Sequence, residues 1–407
     1  MKAKEVLRRV DIWVPVALAI LTAVLFSWSI KPIQQHFDYT ARIASALLHG
    51  HVGLKTQPPS WLNEMVPHHR HYYSVFPLGA VLSMIPVATL QQIGLAKNFP
   101  GGAIAALLAG LCVYFLFQLS GVATNHVGRR IVLSLAMIFG TWFWANIGFG
   151  GAWQLALGFA LLGQLGALCF ILLWPRPLIA GAFFALAYGN RTEVILTVPI
   201  YAWYLCFGVD QPRLDNAWQQ IRQKMPALIQ FLSVPVLLGL LTAAYNFGRF
   251  HSVFDFGYDR IPKLLQEPWY RHGLFSVHAI PWNMHKMLFE GFTDIPNFPF
   301  VRFYPFGCSI FLASPFLFLL FREGGTFKVT AWIAIALLTF ALWCHGNPGG
   351  WQFSYRYGII LFPWMFLIIL ANGPAKLSVI EVSLVVASIA INATATYEFL
   401  WTGMIHP

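Results

Sequence analysis

Long apolar runs alternate with short polar segments along most of the chain. A helix needs about 20 mostly apolar residues to cross a membrane, and about eleven segments approach that length. Trp and Tyr gather near the ends of these runs, as they do at membrane–water interfaces. The pattern predicts an all-α, polytopic membrane protein with a single integral membrane domain over residues 1–407. The predicted crossings are 10–30, 74–95, 102–122, 130–148, 152–174, 177–207 (interrupted), 226–246, 303–321, 326–345, 355–372 and 376–398.

Two polar stretches, 31–73 and 246–302, are much longer than the other connections. The first contains a predicted amphipathic helix, with Asp38 as its N-cap and Gly50 as its C-terminal stop. This helix is too short to cross a bilayer, so we expect it to lie in the membrane interface. Its apolar stripe consists of Tyr39, Ile43 and Leu47.

The distribution of basic residues predicts an orientation. Several lysines and arginines precede the first apolar run, which favours a cytoplasmic start. Alternating crossings then place both long loops outside, and the basic segment 213–224, Arg322 and Lys328 inside. Three arginines break this alternation and fall outside, so either an early crossing is miscounted or they have a role there. These are Arg129, Arg130 and Arg176.

Composition supports the membrane interpretation. Hydrophobic residues make up 58% of the 407 residues and charged residues only 10%, with a mean hydropathy of +0.63. Soluble domains carry about 25% charged residues. The net charge of +11 is spread between apolar runs, which favours anionic lipid or a phosphate-bearing substrate over nucleic acid. The five cysteines show no CxxC spacing, and the histidines near 68–71 favour a solvated loop over a zinc site.

Acidic residues are scarce, 15 in all, so each one in the loops is informative. Asp38 opens the predicted interfacial helix, where it could accept a proton from a hydroxyl group or only cap the helix. Glu64 could be a second catalytic carboxylate or a plain loop residue. The acidic residues expected outside are Asp38, Glu64, Asp255, Asp259, Glu267, Glu290 and Asp294.

Arginines at two apolar segments are candidates for binding phosphate. Arg191 interrupts a predicted crossing, where an unpaired arginine costs about 2.5–3.5 kcal/mol. It could form an ion pair with Glu193 or a bidentate contact with phosphate. Arg356 raises the same question at the outer start of another crossing, and Lys286 and Arg302 are further candidates. No GxGxxG or P-loop motif is present, so the sequence gives no sign of a nucleotide-linked donor.

The order of these features along the chain resembles that of a known protein family. A basic start and one crossing are followed by an external loop with an early carboxylate, and then by several recognisable segments. The chain resembles the GT-C superfamily of polytopic glycosyltransferases, which includes protein O-mannosyltransferases and the aminoarabinose transferases of lipid A. The segments are Tyr72-Tyr73-Ser74-Val75-Phe76-Pro77-Leu78-Gly79, Ala180-Gly181 through Asn190-Arg191-Thr192, 245–250 with 254–258, and Gly350-Trp351-Gln352 with Tyr355-Arg356-Tyr357.

The resemblance implies a GT-C-like fold and a polyprenyl-phosphate-linked sugar as donor. It implies that Asp38 is the catalytic base or a metal ligand, and it makes Tyr73, Trp351 and Gln352 candidates for binding sugar or acceptor. The family's acidic pair is not present, since Tyr39 follows Asp38, so no motif assigns a divalent metal or another cofactor. The expected partners are the lipid-linked donor, membrane lipid, and a glycan, glycolipid or protein acceptor, but not nucleic acid.

Transfer of a sugar needs a base for the incoming hydroxyl and positive charge for the departing phosphate. A single displacement would invert the anomeric carbon. The sequence thus predicts a membrane glycosyltransferase acting at the outer face of the bacterial inner membrane. One alternative is a transporter or flippase of a lipid-linked sugar, which would be expected to show repeats and charges near the membrane midplane. The other is a non-catalytic subunit of a glycan assembly complex, with loops that dock a partner.

Overall fold

The computed structural model describes residues 2–31, 35–209 and 216–402, with side chains from residue 12 onward. The described chain is mostly helical, with two short β-hairpins. The helices are α1 (Lys2–Ser29), α2 (Tyr39–Leu48), α3 (Leu78–Leu82), α4 (Ile85–Gln92), α5 (Gly101–Ser120), α6 (Val127–Phe139), α7 (Phe143–Gly148), α8 (Ala152–Leu172), α9 (Pro177–Asn190), α10 (Val198–Phe207), α11 (Ala217–Phe250), α12 (Ile280–Leu288), α13 (Ile310–Ala313), α14 (Lys328–Cys344), α15 (Phe362–Ala371) and α16 (Val379–Leu400). The strands are β1 (Val66–His68), β2 (His71–Tyr73), β3 (Phe292–Asp294) and β4 (Val301–Phe303).

Several helices have the length and composition of membrane spans. Among the described residues, 5 helices are long and apolar enough to cross a bilayer, namely α1, α5, α8, α11 and α16. Shorter apolar helices complete the bundle, and two of them, α10 and α15, continue directly from 3-10 turns at Thr192–Thr197 and Arg356–Leu361. In a helix the backbone polar groups bond within the segment, as a lipid environment requires. The chain is therefore a helical membrane protein.

The core of the bundle lies along the segment that contains α15. Residues 352–370 are buried at every position. Around it, α8 packs between α5 and α9, α1 packs on α5, and α11 packs on α9. Small residues allow these close approaches, since a side chain at Gly181 would collide with the backbone of Phe231.

The interrupted segment 177–207 was predicted as one broken crossing, and that prediction is wrong. The helix α9 ends at Asn190, and Arg191 adopts an extended backbone conformation with φ −138° and ψ 99°. The chain then folds back, because the rings of Phe184 and Tyr201 lie 5.0 Å apart on either side of the break. The segment is a hairpin of two antiparallel helical legs.

The predicted crossing 74–95 is divided into α3 and α4, neither of which approaches the length of a span. Gly79 of α3 lies against the backbone of Gly189, and Asn190 donates to the Ser83 hydroxyl at 2.9 Å. Since α4 packs on α2, this segment gathers at the end of the bundle where α9 turns back.

A buried ion cluster marks the opposite end of the bundle. Arg129 donates to Glu381 at 3.0 Å and to the last carbonyls of α15, and Arg322 donates to the same carboxylate at 2.9 Å. The predicted alternation of crossings, which placed Arg129 outside and Arg322 inside, is therefore wrong. The helix α5 runs back alongside α1, because Gly102 lies against Ile30 and Gly110 against Ala19. The segment 74–95 therefore does not cross between them, and α5 and α6 run in the opposite sense to the predicted one. The basic segment 213–224 is described only from residue 216.

The first long loop begins, as predicted, with a short helix. The helix α2 covers Tyr39–Leu48, its predicted stripe packs inward, and Gly50 follows with φ +75°. Asp38 occupies the predicted N-cap position, but its carboxylate makes no cap hydrogen bond. It instead accepts from Arg42 Nε at 2.7 Å, one helical turn away. Residues 32–34 of this loop lie outside the described residues.

Both long loops also contain β-hairpins that the helical pattern did not predict. In the first loop, Val66 pairs with Tyr73 and His68 with His71, so the histidines occupy a hairpin turn. The second loop starts after Phe250, because α11 is 34 residues long and extends beyond the predicted 226–246. The predicted crossing 303–321 begins with β4 and becomes helical only at Ile310.

Candidate functional site

The two long loops fold over the end of the bundle where α9, α11 and α14 finish, and they enclose two adjoining cavities. The large cavity, about 590 Å³, is lined by residues of α8 and α9, of the segment 75–77 and of the second loop. The small cavity, about 330 Å³, lies beneath the first loop and the segment before α15. Trp153, Tyr258 and Tyr357 line both cavities. The cavities therefore share an aromatic wall.

Tyr357 brings the two predicted phosphate-binding arginines together. The guanidinium carbon of Arg191 lies 4.6 Å from the centre of the Tyr357 ring, and that of Arg356 lies 5.2 Å from it. Arg191 lines the large cavity and Arg356 lines the small one. Two arginines 165 positions apart in the sequence thus place their positive charges beside one aromatic ring. An anion that spans both cavities would contact both guanidinium groups.

The ion pair predicted as one alternative for Arg191 is present. Its Nε and Nη2 atoms both donate to one oxygen of Glu193, at 2.8 and 2.5 Å. Both side chains line the large cavity and are largely buried. The pairing accounts for the presence of a charge at the break in the helix. It occupies only one edge of the guanidinium, so Nη1 is left to face an incoming group.

Arg356 has more unused hydrogen-bonding capacity. Its side chain is 6% exposed, its Nε is buried without a partner among the described residues, and Nη1 reaches the Trp351 carbonyl only at 3.4 Å. Its position is fixed because the 3-10 turn that it begins belongs to the buried central segment. A buried guanidinium with free donors is a strong candidate site for an oxyanion.

Glu64 supplies a carboxyl group to the same small cavity. Its Oε2 atom is buried and has no hydrogen-bond partner among the described residues. Burial raises the pKa of Glu64 from 4.5 to about 7, while the positive charge of Arg356 and the indole of Trp153 act in the opposite direction. A carboxyl group with this pKa exchanges protons readily near neutral pH.

Asp38, the other predicted carboxylate, lines neither cavity. Its neighbours Phe37 and Tyr39 do line the small cavity, but the Asp38 side chain turns to Arg42. The Tyr39 hydroxyl bonds Asn63 at 3.2 Å, which ties the start of α2 to the segment carrying Glu64. The catalytic role predicted for Asp38 remains a prediction.

The other predicted basic residues lie elsewhere. Lys286 pairs with Glu290 at 2.8 Å on α12, and Arg302 is exposed on β4. Neither lines the large or the small cavity. Both residues belong to the second loop, which contributes to the site, but neither side chain lines its cavities.

The three predicted sugar-binding residues separate in space. Trp351 lines the small cavity, and its Nε1 is buried without a hydrogen-bond partner among the described residues. Gln352 is fully buried and donates to the Pro348 carbonyl at 2.8 Å, which holds the loop before Arg356. Tyr73 packs on Phe250 at 5.5 Å, outside both cavities. Of the three, Trp351 is available to a ligand.

Several cavity residues were not singled out from the sequence. His345 follows α14, and its Nδ1 lies 2.8 Å from the Asn347 carbonyl, so Nδ1 carries the proton and Nε2 is left as an acceptor. His345 lines the large cavity, where Tyr258 and Tyr357 surround its ring at 6.1 and 5.8 Å. Only the position of His345 between an apolar run and a Gly-rich loop hinted at a role. Glu267 lines the small cavity opposite Glu64.

Together these groups provide a proton acceptor near neutral pH, two guanidinium groups and broad aromatic surfaces. Among the described residues, no group of three or more His, Cys, Asp or Glu side chains is placed to hold a metal ion. The arrangement suits chemistry in which a proton is removed and a negatively charged leaving group departs.

Comparisons with known proteins add no assignment: no protein-family model matches this chain, and no curated protein matches its sequence.

Proposed function

We propose that this protein is a membrane glycosyltransferase that moves a monosaccharide from a polyprenyl-phosphate-linked donor to an acceptor hydroxyl. The observation that carries the proposal is the pairing, in adjoining cavities, of Glu64 with two arginines that share Tyr357. A base and a phosphate clamp are the two requirements of the reaction.

In the proposed mechanism the donor phosphate lies between Arg191 and Arg356. The acceptor hydroxyl attacks the anomeric carbon from the opposite face of the sugar, and Glu64 accepts its proton. A new C–O bond forms as the bond from the anomeric carbon to phosphate breaks. The leaving polyprenyl phosphate carries away the electron pair, and the guanidinium groups stabilise its charge. The single displacement inverts the anomeric configuration.

We assign the role of base to Glu64 rather than Asp38. Asp38 is engaged by Arg42 at 2.7 Å and lines neither cavity, whereas Glu64 has a buried oxygen without a partner and a pKa of about 7. A base whose pKa is near the working pH is partly ionised and still basic enough to take a proton. Trp153 and Trp351 offer apolar faces for the sugar ring.

The proposal includes an orientation in the bacterial inner membrane. Basic residues flank the short connections at the end opposite the cavities, and the positive-inside rule assigns such an end to the cytoplasm. The cavities then face the periplasm. With α3 and α4 remaining at the outer face and 177–207 crossing twice, the count stays at about eleven crossings. The basic residues at the cytoplasmic end are Arg129, Arg130, Arg176, Arg322 and Lys328.

The test is sugar transfer by the purified full chain in lipid nanodiscs. Polyprenyl-phosphate monosaccharides labelled in the sugar are supplied with a cell-envelope glycan and glycolipid extract. We expect labelled acceptor and an equal amount of free polyprenyl phosphate. The Glu64→Gln variant should lose at least about a hundredfold of the rate, as loss of a general base does. Asp294→Asn, an exposed carboxylate of the second loop, is the matched control and should retain activity.

Two results would overturn the proposal. Movement of intact donor across a sealed membrane without release of polyprenyl phosphate would identify a flippase. Absence of both transfer and movement with every donor would leave a non-catalytic subunit.

A further inference from the structure

A third cavity opens beside the small one, at the surface of the second long loop. Its volume is about 280 Å³, and we call it the aromatic pocket. Trp269 lines both the aromatic pocket and the small cavity, so the two are neighbours. The Trp269 indole N–H donates to Glu267 at 2.7 Å, which fixes the ring beside a carboxylate of the small cavity.

One wall of the aromatic pocket is apolar. The indole rings of Trp269 and Trp282 have their centres 6.0 Å apart and their planes inclined by 36°. A saturated ring between two aromatic faces needs contact distances of about 3.5–4.0 Å on each side. The rings are too close to sandwich a ligand, so they form one continuous surface. Each tryptophan is 37% exposed, which leaves this surface open.

The rest of the pocket lining includes a polar wall. The rings of His272 and His278 stack at 4.4 Å with an inclination of 16°. Arg271 Nε donates to His272 Nε2 at 3.0 Å, and the Ser276 hydroxyl lies 3.1 Å from His278 Nδ1. These contacts hold both imidazoles in place while leaving the terminal nitrogens of Arg271 available as donors.

We propose that the aromatic pocket binds one pyranose ring of a carbohydrate acceptor. The inference rests on the proposed function and names the acceptor class for it. A pyranose has an apolar face of C–H groups and a rim of hydroxyls, which match the indole wall and the polar wall respectively. The pocket is close to the lower limit of about 300 Å³ for drug-sized ligands, so it fits one sugar unit. The next unit of the glycan would then extend past Trp269 towards Glu64.

Other ligand classes fit the aromatic pocket less well. An acyl or polyprenyl chain would cover the exposed Arg271 and histidine side chains with groups that cannot hydrogen-bond, which costs free energy. A lone phosphate would use Arg271 but leave two exposed indole faces in water. An amphipathic ring satisfies both walls.

The experiment measures binding of simple sugars to the full chain in nanodiscs by saturation-transfer difference NMR. The probes are methyl β-D-glucopyranoside and methyl β-D-galactopyranoside, with sorbitol as an open-chain polyol that has no ring face. We expect at least one pyranoside to bind and sorbitol not to bind. Trp282→Ala should weaken binding roughly five- to tenfold, and Trp282→Phe should restore most of it, because aromatic stacking contributes about this much.

Trp218→Ala is the matched control, since Trp218 is 70% exposed at the start of α11 and lines no part of the aromatic pocket. Binding of neither pyranoside, or binding that is insensitive to Trp282→Ala, overturns the inference. Glu64→Gln should leave sugar binding unchanged, so the two proposals fail separately. Sugar binding without transfer would reject the glycosyltransferase, and transfer without pyranoside binding would reject the pocket.

Discussion

The raised pKa of Glu64 gives a prediction that needs no knowledge of the substrate. The rise from 4.5 to about 7 spans about 2.5 pH units, and at about 1.36 kcal/mol per unit it corresponds to roughly 3 kcal/mol. Because the folded protein holds this proton more tightly than the unfolded chain, Glu64 stabilises the fold less as pH rises from 4.5 to 7. Above that range its contribution is constant. The Glu64→Gln variant cannot ionise and serves as the reference.

The assay compares denaturant unfolding of the wild type and Glu64→Gln in the same detergent across pH 4.5 to 8.5. The two should be nearly equally stable at the acidic end. The wild type should become the less stable by up to roughly 3 kcal/mol at the alkaline end, with the change concentrated below about pH 7. If Glu64 is the base, kcat/KM for transfer should also rise about tenfold per pH unit up to about pH 7 and then level off.

The reasoning is refuted if the wild type gains stability relative to Glu64→Gln as pH rises. That result would mean that Arg356 outweighs burial and keeps the carboxylate ionised. Asp294→Asn, which changes an exposed carboxylate, should show no comparable pH dependence.

Three further predictions address the arginines and the topology. Arg191→Lys should fold normally but weaken binding of a polyprenyl-phosphate sugar about tenfold, because an ammonium group cannot both keep the ion pair with Glu193 and offer a second donor edge to phosphate. Unchanged donor affinity with lost stability would assign Arg191 to the ion pair alone. Glu381→Gln should lower the free energy of unfolding by about 3–5 kcal/mol, since it leaves the buried Arg129 and the half-buried Arg322 without a counter-charge, and a loss below about 1 kcal/mol would contradict this. In intact cells a cysteine at Ser60 should react with an impermeant thiol reagent while one at Gln223 should react only after lysis; the reverse pattern would invert the orientation.

Hydrophobic periodicity predicted the helical membrane class and the local features that depend on neighbouring residues in the sequence. The helix α2 was predicted between Asp38 and Gly50 because end residues and an apolar stripe that recurs every four residues are local signals. The break at Arg191 was visible for the same reason. The path of the chain after the break was not predictable, since a break in the apolar pattern does not reveal whether the chain continues across the membrane or reverses. Reversal depends on contacts such as that of Phe184 with Tyr201, seventeen residues away.

In the candidate site, too, single residues could be predicted from the sequence but their assembly could not. Arg191, Arg356 and Glu64 were singled out because charges stand out in an apolar chain, and Trp351 was singled out through the family resemblance. Their assembly depends on tertiary packing, which joins residues from both loops and α8 around Tyr357. Lys286 and Arg302, the further candidates for binding phosphate, lie elsewhere, because charge alone does not indicate the direction in which a loop folds.

The most direct test of the central claim is a cryo-electron microscopy structure of the full chain with a polyprenyl-phosphate monosaccharide. The account predicts phosphate oxygens within about 2.7–3.2 Å of guanidinium nitrogens of Arg356 and Arg191. It also predicts that the anomeric carbon faces the small cavity, with Glu64 on the side from which a hydroxyl would attack. A donor phosphate bound away from both arginines, for example between Lys286 and Arg302, would contradict the account.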